Sequence, residues 1–243
     1  MVESNPQRPH LMIVGASSGI GFATAERFAG TYSVTALARR MDRLDALRGP
    51  NFKSVQCDVS NLDTIAPIVE QAVAERGKLS GLIYCAGLQS IKPMRSLKTK
   101  DIVDVVTVNL TAALVFARLF ASSRMTEGEA VFCGVSSIAG HRPEPAIVPY
   151  SVAKAGLNAL IRGLARECGP RRAFGIAPGW LDTEMTQSFP QIYTETFRDD
   201  LIKKAPRGIA TVEAVVDLIE FLMSDKAGHL TGQIITLDGG ASL

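Results

Sequence analysis

Two residues at the start of a predicted helix, Tyr150 and Lys154, have the types and the spacing of an acid–base pair. Residues four apart share one face of a helix, so the phenol and the ammonium are expected to be neighbours. A phenol has a pKa of about 10 and is a weak acid–base catalyst at neutral pH. An ammonium stabilises the phenolate, so we expect Lys154 to lower the pKa of Tyr150.

Two further polar residues fit this chemistry because of where they lie. Ser137 follows the predicted strand 130–135, at the carboxyl edge of the sheet, where ligands of open α/β sheets bind. Asn109 lies within the long apolar helix 100–124, where a buried amide needs a partner. Asn109 also fits a helix-packing amide, and a Tyr/Lys pair alone is frequent by chance. The four residues therefore predict a catalytic site only as a set.

A glycine-rich loop follows the first predicted strand and precedes a helix, with the spacing Gly-x-x-x-Gly-x-Gly. Glycines allow a tight turn and a close approach of the backbone to a ligand, and a helix N-terminus favours a phosphate. A plain strand–helix turn is the alternative, but the position on the first strand favours a nucleotide site. The residues predicted to contact the phosphates are Gly15, Ser17, Ser18, Gly19, Ile20 and Gly21.

The residues after the second predicted strand indicate which dinucleotide is bound. An acidic residue there would bind the ribose 2′-hydroxyl of NAD(H), but the sequence has Arg39 and Arg40. Guanidinium groups can receive the 2′-phosphate of NADP(H), which is therefore the expected cofactor. Either both arginines hold the phosphate, or Arg39 stacks on the adenine and Arg40 holds it alone. The alternative is that both are solvated loop residues. Asp58, after the third strand, either accepts from the adenine amino group or caps a helix.

Apolar runs bounded by turn residues alternate with helical patterns along the chain. This alternation predicts an α/β fold: a single doubly wound domain, 1–243, with a seven-stranded parallel sheet and helices on both faces. Residues 1–9 are expected to form a loose N-terminus and the irregular region 182–208 a substrate lid. The predicted strands are 11–14, 33–38, 52–57, 81–85, 130–135, 173–177 and 233–237. The predicted helices are 19–29, 42–47, 62–76, 100–124, 150–168 and 212–224.

Composition excludes several classes of protein. Twenty-six basic and 24 acidic residues give a net charge of +2, without the strongly basic face of a nucleic-acid-binding protein. The first ten residues lack the apolar stretch of a signal peptide, and no run approaches a membrane span. The four cysteines form no C-x-x-C pair, so we expect free thiols, no metal site and a cytoplasmic protein.

Taken in order, these motifs resemble those of the classical short-chain dehydrogenase/reductases, over residues 10–243. Ser137 precedes Tyr150 by 13 residues, which is the usual spacing in that family. The nearest likeness is to the 3-oxoacyl-acyl-carrier-protein reductases, through residues 177–186 and 231–240. The matching pieces are Gly15-x-x-x-Gly19-Ile20-Gly21, Asp58-Val59, Ala86-Gly87, Asn109, Ser137, Tyr150-x-x-x-Lys154, Pro178-Gly179 with Thr183, Leu230-Thr231-Gly232-Gln233 and Asp238-Gly239-Gly240.

The resemblance implies a Rossmann fold, a homotetramer and a role for each matching residue. Tyr150 is implied as the general acid in reduction and the base in oxidation, and Lys154 as the residue that lowers its pKa and binds the nicotinamide ribose. Ser137 is implied to polarise the substrate carbonyl, and Asn109 to anchor a water that links Lys154 to solvent. The further implied cofactor contacts are Val59, Ala86, Gly87, Pro178, Gly179, Leu181 and Thr183.

Three positions depart from the family pattern, and the substrate stays open. Tyr84 and Cys85 stand where the family often has two asparagines, and Phe174 stands where an asparagine is common. The expected activity is hydride transfer between NADP(H) and a carbonyl or secondary alcohol. The substrate is a 3-oxoacyl thioester or another ketone, sugar, steroid or secondary metabolite. A non-catalytic NADP-binding regulator is the alternative from another class.

Overall fold

The computed structural model describes residues 8–47 and 49–243, which form one α/β domain. Seven parallel strands form one sheet in the order β3-β2-β1-β4-β5-β6-β7, which confirms the predicted doubly wound architecture. The order reverses between β1 and β4, so the ligand crevice is expected at their carboxyl ends. The predicted loose N-terminus, 1–9, lies mostly outside the described residues. The strands are β1 His10–Val14, β2 Ser33–Ala38, β3 Phe52–Gln56, β4 Leu79–Tyr84, β5 Thr126–Val135, β6 Arg172–Pro178 and β7 Ile234–Leu237.

Helices cover both faces of the sheet, as predicted for strands that are apolar on both sides. One core cluster lies under α2, α4 and α5, and a second lies under α1 and α8. The strand β1 is buried at all five positions because both clusters pack on it. The helices are α1 Gly19–Phe28, α2 Ile65–Arg76, α3 Thr99–Val106, α4 Ala112–Ala121, α5 Val148–Glu167, α6 Glu184–Gln187, α7 Glu195–Lys204 and α8 Val212–Met223.

Three segments differ from the sequence prediction. The region 182–208 was expected to be irregular but contains α6 and α7, which lack the apolar stripe of a core helix. The predicted helix 42–47 is only a 3₁₀ turn, Asp42–Leu44. The long helix 100–124 is interrupted by a π turn, Thr107–Thr111, between α3 and α4. Hydrophobic spacing does not resolve a single extra residue within a helix, and π turns of this kind are frequent at functional sites.

The continuous helical segment Thr99–Ala121 corrects one further expectation. Within residues 8–47 and 49–243 it is the one helix long and apolar enough to cross a membrane by length and composition. Core helices meet the same criterion. Phe116 and Phe120 are fully buried in the cluster under α2, α4 and α5, so we interpret this segment as a core helix of the domain.

Candidate active site

A cavity of about 400 Å³ opens at the carboxyl ends of the strands, where a doubly wound sheet binds its ligands. Every predicted site residue except Asn109 lines it. The lining residues among those predicted are Gly15, Ser17, Ser18, Gly19, Ile20, Gly21, Arg39, Arg40, Asp58, Val59, Ala86, Gly87, Ser137, Tyr150, Lys154, Pro178, Gly179, Leu181 and Thr183.

The glycine loop between β1 and α1 is shaped so that side chains cannot replace two of its glycines. Gly15 has φ +84°, and a Cβ there would lie 2.6 Å from the backbone nitrogen of Ala86. A Cβ on Gly21 would lie 2.2 Å from the carbonyl oxygen of Gly15. The Ser18 side chain precedes α1 without capping it, so amides of the first helical turn face the cavity without that partner. This arrangement suits a phosphate.

The two arginines after β2 differ in their surroundings. Arg40 donates from Nη2 to Ser18 Oγ at 3.3 Å, and the same nitrogen lies 3.0 Å from Glu184 Oε2. Arg43 donates from Nη1 to the other oxygen of Glu184 at 2.8 Å. Arg39 is exposed and lines the same cavity. Sequence reasoning missed Arg43 and Glu184, because no motif marks a contact between residues so far apart in the chain.

The turn after β3 removes one of the two alternatives for Asp58. Its Oδ1 accepts from the Ser60 backbone nitrogen at 3.0 Å and from Ser60 Oγ at 2.7 Å. These hydrogen bonds lower the pKa of Asp58. The helical segments that follow begin after Asn61 and Thr64, so Asp58 is not their N-cap. It closes a turn and presents a carboxylate to the cavity.

The Tyr150 hydroxyl lies beside Ser137 and deep in the cavity. Pro149 occupies the first turn of α5 and fixes where the helix starts, which places Tyr150 near its N-terminus. Ser137 Oγ accepts from the Ala139 backbone nitrogen at 3.2 Å. Burial raises the pKa of Tyr150 to about 12, although its hydrogen bond with Ser137 lowers it. The side chain is therefore a neutral phenol, suited to donate a proton.

Lys154 lies one helical turn after Tyr150, with its ammonium under the phenol ring. Nζ donates to the Val135 carbonyl at 2.7 Å and lies 5.5 Å from the centroid of the Tyr150 ring. Burial lowers the pKa of Lys154 to about 8. In this structure burial is the largest influence on the Tyr150 pKa, and the ammonium of Lys154 donates to the Val135 carbonyl. The expected lowering of the Tyr150 pKa by Lys154 stays a prediction.

Asn109 lies behind the cavity, in the π turn, and is fully buried. Its Nδ2 donates to the carbonyls of Leu88 at 2.7 Å and Val105 at 2.8 Å, and its Oδ1 accepts from the Leu88 nitrogen at 3.3 Å. A Cβ on Gly87 would lie 3.3 Å from this Oδ1 and 4.0 Å from Lys154 Nζ. Asn109 thus fixes the loop after β4 against the site; its role as a water anchor stays a prediction.

The segment predicted as a lid supplies the opposite wall of the cavity. Tyr193 and Phe197 pack at 5.2 Å between ring centroids, and Trp180 lies 6.1 Å and 6.3 Å from them. Gln89 donates from Nε2 to the Tyr193 hydroxyl at 3.2 Å. Tyr193 and Phe197 belong to the region 182–208 that the sequence predicts as a substrate lid. The sequence did not single out these further lining residues: Leu88, Gln89, Trp180, Met185 and Leu201.

The positions that depart from the family pattern have structural partners. The Tyr84 hydroxyl donates to the Val108 carbonyl at 2.5 Å, within the helical segment that carries Asn109. Phe174 is fully buried beneath the guanidinium of Arg172, 5.3 Å from the ring centroid. All four cysteines are free thiols. In the described ranges no group of three or more His, Cys, Asp and Glu is placed to hold a metal ion.

Comparisons with known proteins find relatives over nearly the whole chain. The family model described as "Enoyl-(Acyl carrier protein) reductase" matches residues 15–242. The 3-oxoacyl-[acyl-carrier-protein] reductase FabG of Thermotoga maritima is 30% identical over 240 residues, covering 94% of this chain and 96% of that protein. Gluconate 5-dehydrogenase of Gluconobacter oxydans is 28% identical, covering 96% and 94%.

Among solved structures, a 4-hydroxyisoleucine dehydrogenase complexed with NADH superposes with a TM-score of 0.88 at 28% identity, covering 97% of this chain and 99% of that one. The relatives act on different substrates, so they agree in the class of reaction and not in the compound. The motifs, the sheet order and the family match coincide over nearly the whole chain. The chain belongs to the classical short-chain dehydrogenase/reductase family, and it is an oxidoreductase of alcohol and carbonyl groups.

Proposed function

We propose that this protein is an NADP(H)-dependent oxidoreductase that interconverts a carbonyl and a secondary alcohol, with Tyr150 as its proton donor. The observation that carries the proposal is the buried Tyr150 phenol, hydrogen-bonded to Ser137 in the cavity that also contains the glycine loop. A nucleotide site and a poised proton donor within one cavity are what hydride transfer requires.

The residues present fit a dinucleotide. Gly15 and Gly21 allow the loop to pack tightly against the backbone of Ala86 and of Gly15 itself, where a Cβ would clash. The first turn of α1 has no side-chain cap, so its backbone amides are available to a pyrophosphate. Asp58 and Val59 would border the adenine. Ala86 and Gly87 would border the nicotinamide ribose on the side that faces the adenosine half of the cofactor. Pro178, Gly179, Leu181 and Thr183 would border the nicotinamide. When bound, the cofactor supplies or accepts the hydride.

Each member of the catalytic set has a separate task in reduction. Tyr150 donates its phenolic proton to the substrate oxygen as negative charge develops there. Ser137 holds that oxygen by its hydroxyl and stays hydrogen-bonded to the phenol. Lys154 keeps a positive charge beside the phenolate that forms, and it would bind the nicotinamide ribose. Asn109 holds the Leu88 backbone in place, next to Gly87, which lies near Lys154, and it anchors the proposed water of the proton relay.

Arg40 supports the choice of NADP(H) over NAD(H). Its guanidinium contacts Ser18 of the glycine loop, at the place where the adenosine ribose should lie. No carboxylate ends β2, so the strand itself offers nothing to repel a 2′-phosphate. Arg39 either shares the phosphate or stacks on the adenine, and both positions are open to it because it is exposed at the rim.

The substrate wall supports a carbonyl compound with an apolar body. Trp180, Tyr193 and Phe197 form an aromatic face opposite Tyr150, while Gln89 and Tyr193 add a polar pair. A 3-oxoacyl thioester fits the likeness to FabG, and a hydroxy acid or sugar fits the likeness to the gluconate enzyme. We propose that 182–208 acts as the lid over this substrate.

We propose a homotetramer in the cytoplasm. Four large apolar side chains on α3, α4 and α5 are exposed in the single chain: Ile102, Val103, Leu114 and Val152. The opposite faces of these helices already cover the sheet. We therefore propose that a second copy of the chain packs on the exposed apolar face of α3, α4 and α5. Four free thiols fit a reducing compartment.

A screen of NADPH and NADH oxidation over acyl thioesters, diketones, sugars and steroids tests the function. We expect turnover of at least one carbonyl compound, and a larger kcat/KM with NADPH. A protein that binds NADPH but oxidises it with none of these compounds would instead be a non-catalytic regulator. That outcome would contradict the proposal.

A further inference from the structure

Glu184, the first residue of α6, joins the lid segment to the end of β2. Its Oε2 lies 3.0 Å from Arg40 Nη2, and its Oε1 accepts from Arg43 Nη1 at 2.8 Å. Both carboxylate oxygens are thus engaged, each by a different guanidinium. We call Glu184, Arg40 and Arg43 the carboxylate clasp. The clasp links the two sides of the cavity, because Arg40 and Glu184 both line it.

The clasp uses the same guanidinium group that a 2′-phosphate would need. Arg40 contacts Ser18 of the glycine loop as well as Glu184, so a phosphate bound between the loop and β2 would compete with the carboxylate. Anionic oxygens prefer the same planar donor pair of a guanidinium. A second anion at Arg40 would also repel the Glu184 carboxylate at short range.

We propose that Glu184 is a cofactor-specificity residue: its carboxylate occupies the Arg40 guanidinium that receives a 2′-phosphate, so NADPH must displace it and NADH need not. The inference rests on the proposed binding of the 2′-phosphate at Arg40. The carboxylate that lowers the affinity for NADPH relative to NADH thus comes from the lid segment and not from the end of β2.

The strength of the clasp sets the size of the expected effect. The side chains of Arg40, Glu184 and Arg43 are 41%, 39% and 49% exposed. Exposed ion pairs are weak and are screened by salt. The clasp should therefore lower NADPH affinity by a factor of about two to five, the upper part of the range for such pairs, without preventing binding.

Displacement of Glu184 from Arg40 and Arg43 would also release the start of the lid segment from the end of β2. The residue starts α6, and its neighbours Thr183 and Met185 line the cavity. Trp180, the one tryptophan in the sequence, packs on the lid residues Tyr193 and Phe197. Its fluorescence therefore reports whether a 2′-phosphate alone, without nicotinamide, alters the lid.

The test compares dissociation constants for NADPH and NADH by calorimetric titration in wild type, Glu184→Gln and Asp42→Asn. Asp42 is a matched control, because its carboxylate lies 3.8 Å from Arg43 Nε and is 78% exposed, outside the cavity lining. We expect Glu184→Gln to raise the NADPH-over-NADH affinity ratio about two- to fivefold, through NADPH. Asp42→Asn should leave the ratio within about 1.5-fold.

An unchanged or lower ratio in Glu184→Gln would overturn the proposal, and so would an equal rise in Asp42→Asn. A wild-type preference for NADH that Glu184→Gln shifts toward NADPH would contradict the proposed cofactor and support the clasp. Adenosine 2′,5′-bisphosphate should change Trp180 fluorescence in wild type, 5′-AMP should not, and Glu184→Gln should show neither response. Equal changes of Trp180 fluorescence in wild type and Glu184→Gln on addition of adenosine 2′,5′-bisphosphate would contradict the proposal that displacement of Glu184 releases the lid.

Discussion

The Tyr150 hydroxyl is held as a neutral phenol by its burial beside Ser137. Tyr150→Phe removes the proton and keeps the ring, so NADPH binding should stay close to that of wild type. Turnover should fall by roughly 10²–10⁴-fold, the usual contribution of general acid catalysis. Steady-state rates and NADPH titration measure the two effects. Tyr32→Phe is the control, since Tyr32 packs on Phe28 away from the cavity; turnover of Tyr150→Phe within about tenfold of wild type would refute the role.

The lowered pKa of Lys154 predicts a pH dependence of cofactor binding. Its pKa is about 8 because burial disfavours the ammonium. If the ammonium binds the ribose, affinity is full below that pH and falls as pH rises through about 8. NADH is the better probe, because it has no 2′-phosphate to titrate. Its dissociation constant should rise between pH 7 and 9.5 in wild type and stay flat in Lys154→Met. A wild-type dissociation constant for NADH that does not change over this pH range would exclude a role for the Lys154 ionisation in cofactor binding. The pH limits lie about one unit below and about one and a half units above the transition.

The same shift has a consequence for stability. The pKa of Lys154 is lower in the folded protein than its ordinary value of 10.5. Between pH about 8 and 10.5 the unfolded chain holds a proton that the folded chain has lost. The cost of burying this ammonium is therefore relieved across that window, so the contribution of Lys154 to the free energy of unfolding rises with pH there.

At the scale of elements, the strand–loop–helix unit β1–α1 depends on the absence of a Cβ at Gly21. Gly21→Ala would place that atom 2.2 Å from the Gly15 carbonyl oxygen, so backbone must shift. Overpacking of this kind costs about 1–3 kcal/mol, which corresponds to a fall in Tm of roughly 2–12 °C for a domain of this size. Cofactor affinity should fall as well, since the loop is deformed. Gly30→Ala is the matched control, because nothing lies within 4 Å of a Cβ there. Equal melting temperatures and affinities for the two variants would contradict this reading.

The strands that position the site residues could be predicted from the sequence, but helix α7 of the lid and the π turn at Asn109 could not. The strand ends before Gly15, Arg39 and Ser137 follow from apolar runs that stop at polar residues. Helix α7 was missed because residues 198–204 carry five charged side chains and no buried stripe. The π turn at Asn109 was missed because its cause is a set of contacts between the Asn109 amide and the Leu88 backbone, which come from the fold and not from local spacing.

The pairing of the site residues shows the same limit. Spacing placed Tyr150 and Lys154 on one helix face, and the structure agrees. It could not predict that Lys154 would donate to the Val135 carbonyl, because that contact joins a helix to a distant strand. Glu184 and Arg43 meet across 141 positions of sequence, so neither could be assigned from a motif.

At the scale of the whole molecule, the exposed apolar residues on α3, α4 and α5 predict assembly. Val152 is 59% exposed and Val103 is 53% exposed. Val152→Asp should place a charge in the contact between copies, where an unpaired charge is costly. Sedimentation should give four chains of 26.0 kDa each for wild type and a smaller species for Val152→Asp. Ile202→Asp, on the lid helix α7, is the control and should keep the wild-type size. A wild-type monomer at micromolar concentration would overturn the assembly.

The central claim, an oxidoreductase that selects NADP(H) through the arginines after β2, is tested most directly by kcat/KM. The ratio for NADPH over NADH is measured with one carbonyl substrate in wild type, Arg39→Ala and Arg40→Ala. Charge-assisted contacts to the 2′-phosphate predict a wild-type preference for NADPH of about tenfold to several hundredfold. Arg40→Ala should lose most of it, and Arg39→Ala loses a share only if Arg39 also holds the phosphate. A wild-type preference for NADH would contradict the account.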